Sequence, residues 1–251
     1  RPLARNAGVR RSGPEGLEVI VPAYRADIIH PVDVVEDVGV GHGFERFGKA
    51  LPRAVTFGRP DPLTAFGSSV RQVLIGLGYF EVATLSLSNP RDQFDSKGQA
   101  ADATATAVKN PVSEDHTLVR VSLVPSLMTI LRKNKHRELP QRIFEVGDVV
   151  QDSKNLRCLA GASLHSKAGF TECKSVVQSF LKAITLEPEM AQWDLPGYVP
   201  GRSAKVHVRG VEVGAFGEVA PSMLEHFELG YPAVVFELDL EALMRLRETS
   251  R

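Results

Sequence analysis

The chain has 251 residues, and its 30 Lys and Arg balance 30 Asp and Glu to a formal net charge of zero. Hydrophobic residues at 43% and charged residues at 24% describe an ordinary globular protein of one large domain, or one with a small appendage. The balance argues against a dedicated nucleic-acid binder, which carries a basic surplus, and no apolar run is long enough for a membrane span or a signal peptide. Cys158 and Cys173 stand alone with no C-x-x-C spacing, which predicts reduced thiols and a cytoplasmic setting. With Arg rather than Met as its first residue, the chain is expected to be a fragment or trimmed form of a longer protein.

Residues 1–16, basic and rich in Gly and Pro, predict an irregular solvated terminus. Leu17, Val19 and Val21 alternate as a strand that Pro22 ends. The stretch Val21–Asp37 then carries Asp27, Asp33, Glu36 and Asp37 around His30-Pro31. Pro at the first helical position predicts a helix starting at Pro31, which puts Asp33, Glu36 and Asp37 at i, i+3 and i+4 on one face. Three like charges on one face repel, so a positive group is expected among them, and a hard divalent cation is one candidate. A solvated acidic helix start is the plainer reading, since such residues suit the helix dipole by about 0.3–1 kcal/mol each.

Residues 51–62 read as a linker. Asp61-Pro62 caps a helix whose Leu63, Phe66, Val70, Val73, Leu74 and Leu77 recur at helical spacing and which Gly78 closes. That stripe is broad enough to face a partner in part, so the chain alone is expected to expose apolar surface or to self-associate. Phe80–Ser88 reads as a strand and Arg91–Ala107 as a loop. Ser122 is placed as the cap of a helix carrying Leu123, Leu127, Ile130 and Leu131. Strands are expected at Gln141–Val150 and Leu156–Leu164, then a helix from Gly169 through Ile184. Pro196–Arg202 reads as a turn and Trp193 as a packing residue. A hairpin turns at Arg209-Gly210, a short helix reaches Phe227, and a strand at Ala233–Leu240 precedes a helix from Glu241.

Taken whole, these motifs resemble the β subunit of phenylalanyl-tRNA synthetase, in its archaeal and eukaryotic form. The carriers are V-P-A-Y-R-A-D-I with the acidic helix and the Gly41-His42-Gly43-Phe44 turn, L-V-R-V-S-L-V-P-S-L (Leu118–Leu127), R-I-F-E-V-G (Arg142–Gly147) and F-T-E-C-K (Phe170–Lys174). The resemblance runs from Leu17 to Leu246. It implies an α+β fold, a class II aminoacyl-tRNA synthetase-like antiparallel sheet flanked by helices, with a small N-terminal α/β piece. The domains would be 1–50 for the partial small domain, 51–62 for the linker and 63–251 for the core.

The resemblance further implies magnesium held by Asp27, Asp33, Glu36 and Asp37 at the boundary with the α subunit. Asp33 and Glu36 are the expected direct ligands, because magnesium takes only one or two carboxylates. ATP would be bound by the α subunit alone, in an (αβ)2 heterotetramer that meets tRNA only as a whole. A class II active site needs arginines and a glycine-rich strand for the triphosphate. Here Val234–Arg245 contains no glycine, and Glu237, Asp239 and Glu241 stand where a phosphate would go. No catalytic or nucleotide-binding residue is therefore assigned, and the chain alone is expected not to bind ATP. A stand-alone, inert synthetase-like module that binds another protein is the alternative.

Overall fold

A computed structural model describes residues 8–11 (backbone only), 16–50, 58–102 and 105–249. The chain divides into two compact units, Arg1–Gly58 and Arg59–Arg251. Residues 51–57 of the expected linker, and the rest of the expected irregular terminus, lie outside the described residues.

In the small unit, strand β1 (Gly8–Arg11) pairs antiparallel with β2 (Leu17–Ile20), so part of the terminus expected to be irregular is ordered by a partner strand. Helix α1 (Pro31–His42) begins at the expected Pro31. It ends where Gly43 takes φ 94°, a left-handed conformation that favours glycine, and its N–H reaches the Gly39 carbonyl. Only Gly39 of this helix is buried, while Val32, Val35 and Val38 are exposed.

The large unit is built on one seven-stranded sheet in the order β3-β6-β7-β11-β10-β9-β8. Its strands are β3 (Phe80–Glu81), β6 (Gln141–Gln151), β7 (Lys154–Leu164), β8 (Glu189–Gln192), β9 (Tyr198–Val208), β10 (Val211–Val219) and β11 (Ala233–Asp239). All neighbours run antiparallel except β3 with β6. Alternate residues of the central strands enter two cores. Phe144, Leu159, Val234, Phe236 and Leu238 face α2 (Pro62–Gly76), α5 (Phe170–Ala183) and α7 (Leu240–Glu248). Ile143, Ala160, Ala162, Ala233 and Val235 face α4 (Val124–Lys133) and α6 (Pro221–His226). Both faces being covered explains why these strands read as nearly unbroken apolar runs. Phe144, Phe180, Phe216, Phe227 and Phe236 are fully buried, each worth about 1.5–3 kcal/mol. The Phe236 ring lies across Gly161, its register partner, where a Cβ would come within 2.3 Å of the ring. No helix among the described residues is long and apolar enough to cross a membrane.

The stripe on α2 meets the core through buried Phe66, Val70 and Leu74, with Leu63, Val73 and Leu77 half-buried against them and Ile75 and Phe80 exposed nearby. Several expectations are corrected. The strand expected at Phe80–Ser88 exists only as β3 and as β4 (Leu87–Ser88), which pairs with β5 (Leu118–Val119) in a separate sheet. Between them Thr84 donates from N and Oγ1 to Glu145, and the Ser86 carbonyl accepts from the Arg120 N–H, so other bonds replace the ladder. The expected loop after Arg91 holds α3 (Pro90–Gln93), capped by Asn89, and the buried Gln93 amide bonds to Val121 and Ser122. Leu123, not Ser122, is the N-cap of α4. Most of the expected turn Pro196–Arg202 is strand β9. Trp193 is 55% exposed, with the Lys205 ammonium 4.8 Å above its ring, and is no core residue.

Candidate functional site

The acidic helix start of the small unit is built by a capping box. His30 Nδ1 accepts from the Val32 N–H at 3.2 Å, and Asp33 Oδ2 accepts from the N–H groups of His30 (2.7 Å) and Ile29 (2.8 Å). Those two bonds hold the Asp33 carboxyl below its ordinary range. The turn before the helix delivers Arg25 as well as Asp27. The Arg25 guanidinium donates to Asp27 through Nε (2.9 Å to Oδ1) and Nη2 (2.7 Å to Oδ2), and through Nη2 to Asp37 Oδ2 at 2.9 Å. The pairing raises the Arg25 pKa and depresses that of Asp27.

The positive group that the sequence demands on this face is therefore present in the chain itself. Among the described residues, no three His, Cys, Asp or Glu side chains come together to hold a metal. Asp27 has both oxygens on Arg25, so the four acids do not form one ligand set while the guanidinium is in place. Asp33 Oδ1 and the Glu36 carboxylate make no hydrogen bond or ion pair among the described residues. They could serve an ion that keeps most of its waters.

In the large unit the sheet opens into a cleft of about 400 Å³, lined among others by Lys97, Gln151, Cys158, Tyr198, Glu237 and Asp239. Glu237 does not project into it as a free charge. Its Oε2 accepts from Ser122 Oγ and its Oε1 from the Leu123 N–H, both at 2.6 Å, at the N-terminus of α4. A helix N-terminus favours an anion, and here the protein supplies its own. Asp239 Oδ1 caps α7 through the Ala242 N–H, and Glu241 lies 3.6 Å from Arg245. Burial pulls the Lys97 amine down while Glu237 acts to raise it, and burial pushes the Cys158 thiol up, so no thiolate nucleophile arises.

Arg142 and Arg245, at the positions of the second and third class II motifs, do not serve this cleft. Arg142 shares its sheet face with Phe144, opposite to the cleft, and its Nη2 lies 3.3 Å from Glu172 of α5. Arg245 is exposed on α7. Beside the cleft Arg120 and Glu145, both nearly fully buried, form an ion pair of 2.9 Å. Arg120 also donates to Thr84 Oγ1 (2.6 Å) and the Asp148 carbonyl (2.8 Å). Gly147 leaves room for this pair, since a Cβ there would sit 2.5 Å from Arg120 Nη2 and 2.8 Å from Glu145 Oε1.

The family model described as "Phenylalanyl tRNA synthetase beta chain CLM domain" matches residues 49–240, and that of the "tRNA synthetase B5 domain" matches residues 5–44. The chain belongs to the phenylalanyl-tRNA synthetase β-chain family. It is 40% identical, over 92% of its length, to the phenylalanine–tRNA ligase β subunit of Methanosarcina acetivorans, and covers 42% of that protein. It is 42% identical, over 91% of its length, to that of Archaeoglobus fulgidus, again covering 42% of it. The chain thus spans less than half the length of the curated relatives it matches. The solved pyrrolysyl-tRNA synthetase from Desulfitobacterium hafniense aligns at TM-score 0.63 and 18% identity, covering 74% of this chain and 70% of that one. That likeness shows the class II fold alone. The family membership agrees with the motifs on which the resemblance rested, including L-V-R-V-S-L-V-P-S-L, whose arginine is the buried Arg120.

Proposed function

We propose that the chain is a non-catalytic scaffold of a phenylalanine–tRNA ligase, holding the α subunit that joins phenylalanine to its tRNA with ATP. The observation that carries this reading is the Glu237 carboxylate at the N-terminus of α4, where a substrate phosphate would need the same donors. A triphosphate brought there would meet a carboxylate and find both synthetase arginines elsewhere. Exposed Phe80 and Leu85, together with the apolar groove between β2 and α1 lined by Leu17, Val19, Val34 and Val38, offer surfaces for a partner.

The reading includes an (αβ)2 heterotetramer in the cytoplasm that meets tRNA only as a whole. It also includes magnesium on the acidic face, with Asp33 and Glu36 as its carboxylate ligands and its charge offsetting theirs. The test is to mix the chain with the α subunit of an archaeal phenylalanyl-tRNA synthetase. A stable complex in sedimentation is expected, together with no ATP binding to the chain alone in calorimetry. Saturable, magnesium-dependent ATP binding in the micromolar range, or a monomer with no affinity for the α subunit, would overturn it.

A further inference from the structure

The cleft of the large unit contains two polar groups that the chain itself leaves unanswered. Lys97, from the single turn Asp95–Lys97 after α3, and Tyr198, at the start of β9, both line it. Neither the Lys97 amine nor the Tyr198 hydroxyl makes a hydrogen bond or ion pair among the described residues. Thr117 Oγ1 is the one dry side-chain atom left without a partner among them, so both groups reach the water of the cleft. The lysine stem is packed rather than loose: a Cβ added at Gly197 would come 3.1 Å from Lys97 Cγ and 3.2 Å from Met223 Sδ. Burial pulls the amine's pKa down and pushes the hydroxyl's up, and the charge of Glu237 acts on both. A cation and an anion thus face one cleft without forming an ion pair.

We propose that this cleft seats a small zwitterion of the free amino-acid class, its carboxylate on Lys97 and Tyr198 and its ammonium toward Glu237. Polar groups held in a half-dry cleft call for a partner, and the sign of each selects the ligand. A simple anion would gain Lys97 but meet Glu237 and Asp239; a simple cation would gain the acids but meet Lys97. A ligand carrying both charges on neighbouring atoms satisfies both. Each Glu237 oxygen accepts one bond already, from Ser122 or Leu123, and keeps a second lone pair for a ligand N–H. Leu156, Leu195, Pro196 and Val213 supply the apolar wall against which a ligand side chain would lie, in a volume of about 400 Å³. No bond is made or broken there, so the seat stands apart from the scaffold role and does not depend on it.

The test is a saturation-transfer NMR titration of the full chain with L-leucine, for the wild type, Lys97→Met and Tyr198→Phe. Circular dichroism checks that each is folded. Two analogues probe the charges separately: isocaproate lacks the ammonium and isopentylamine lacks the carboxylate. L-leucine should saturate the wild type, and each analogue should bind at least about tenfold more weakly. Lys97→Met should weaken L-leucine by a similar factor without weakening isopentylamine, a difference that a packing role of the lysine would not produce. Tyr198→Phe should weaken L-leucine in the same sense, and it reads the same contact should Lys97→Met fail to fold. Absence of saturation up to about 50 mM L-leucine overturns the proposal. So does unchanged L-leucine affinity in the folded variants, or isocaproate binding as tightly as L-leucine.

Discussion

Each unit gathers charged or polar groups at a helix and answers them with a side chain of its own. In the small unit a guanidinium sits among carboxylates; in the large unit a carboxylate sits on the donors at a helix N-terminus. They differ in solvent access. Arg25 and Asp37 are roughly one-quarter exposed and Asp27 is 63% exposed, whereas Ser122 is 5% exposed and Arg120 and Glu145 are nearly dry. Water screens the exposed pairs, so each contributes little, whereas removing one partner of the buried Arg120–Glu145 pair leaves a desolvated charge behind.

The comparison breaks first at Glu145. Glu145→Ala strands the Arg120 guanidinium in the interior, and urea unfolding should show a loss of about 3–5 kcal/mol. A loss below 1 kcal/mol would mean that water reaches the pair. A smaller effect is expected at Glu237. Glu237→Ala leaves the Leu123 N–H and the Ser122 hydroxyl without their acceptor, at about 1–3 kcal/mol in the same measurement. If the seat is a true anion site, inorganic phosphate should raise the melting temperature of Glu237→Ala and leave the wild type unchanged.

The smallest effect concerns pH. Asp27 and Asp33 are held below their ordinary value of 3.8, so the contribution they make to folding is complete above that value. It fades only as the pH falls through their depressed folded values. Proton NMR of the small unit's resonances in the intact chain should show no loss of structure on going from pH 7 to pH 5, and loosening only below about 4. Loosening near pH 6 would overturn this reading.

Much of this was legible in the sequence. His30-Pro31 marks the helix start through proline's missing N–H, and the hairpin at Arg209-Gly210 forms as expected, with φ of 53° and 77°. Asp33 as a capping-box acid is readable too, since an acid three residues after the cap is the signature. Arg25 stands inside the motif, but its partner Asp37 is twelve positions away, and no local spacing rule joins them. The grip of Glu237 on Ser122 spans 115 residues, and no local pattern encodes it. The split of Phe80–Ser88 has the same origin, because its apolar alternation predicts a ladder while Thr84 bonds to Glu145, 61 residues on.

The position of β11 bears on the time at which the molecule becomes whole. It is the last strand of this sheet in sequence order, yet it lies in the middle of the sheet between β7 and β10. Until it arrives, the β6–β7 hairpin and the β8–β9–β10 meander are two half-sheets with unpaired inner edges, and the N-terminus of α4 waits for Glu237. At roughly 5–20 residues per second, the 115 residues from Ser122 to Glu237 take about 6–23 s to synthesise. From the time each is made until β11 arrives, the facing edges are open to strands of other chains. A nascent chain halted before Ala233 should bind a chaperone that the finished chain does not.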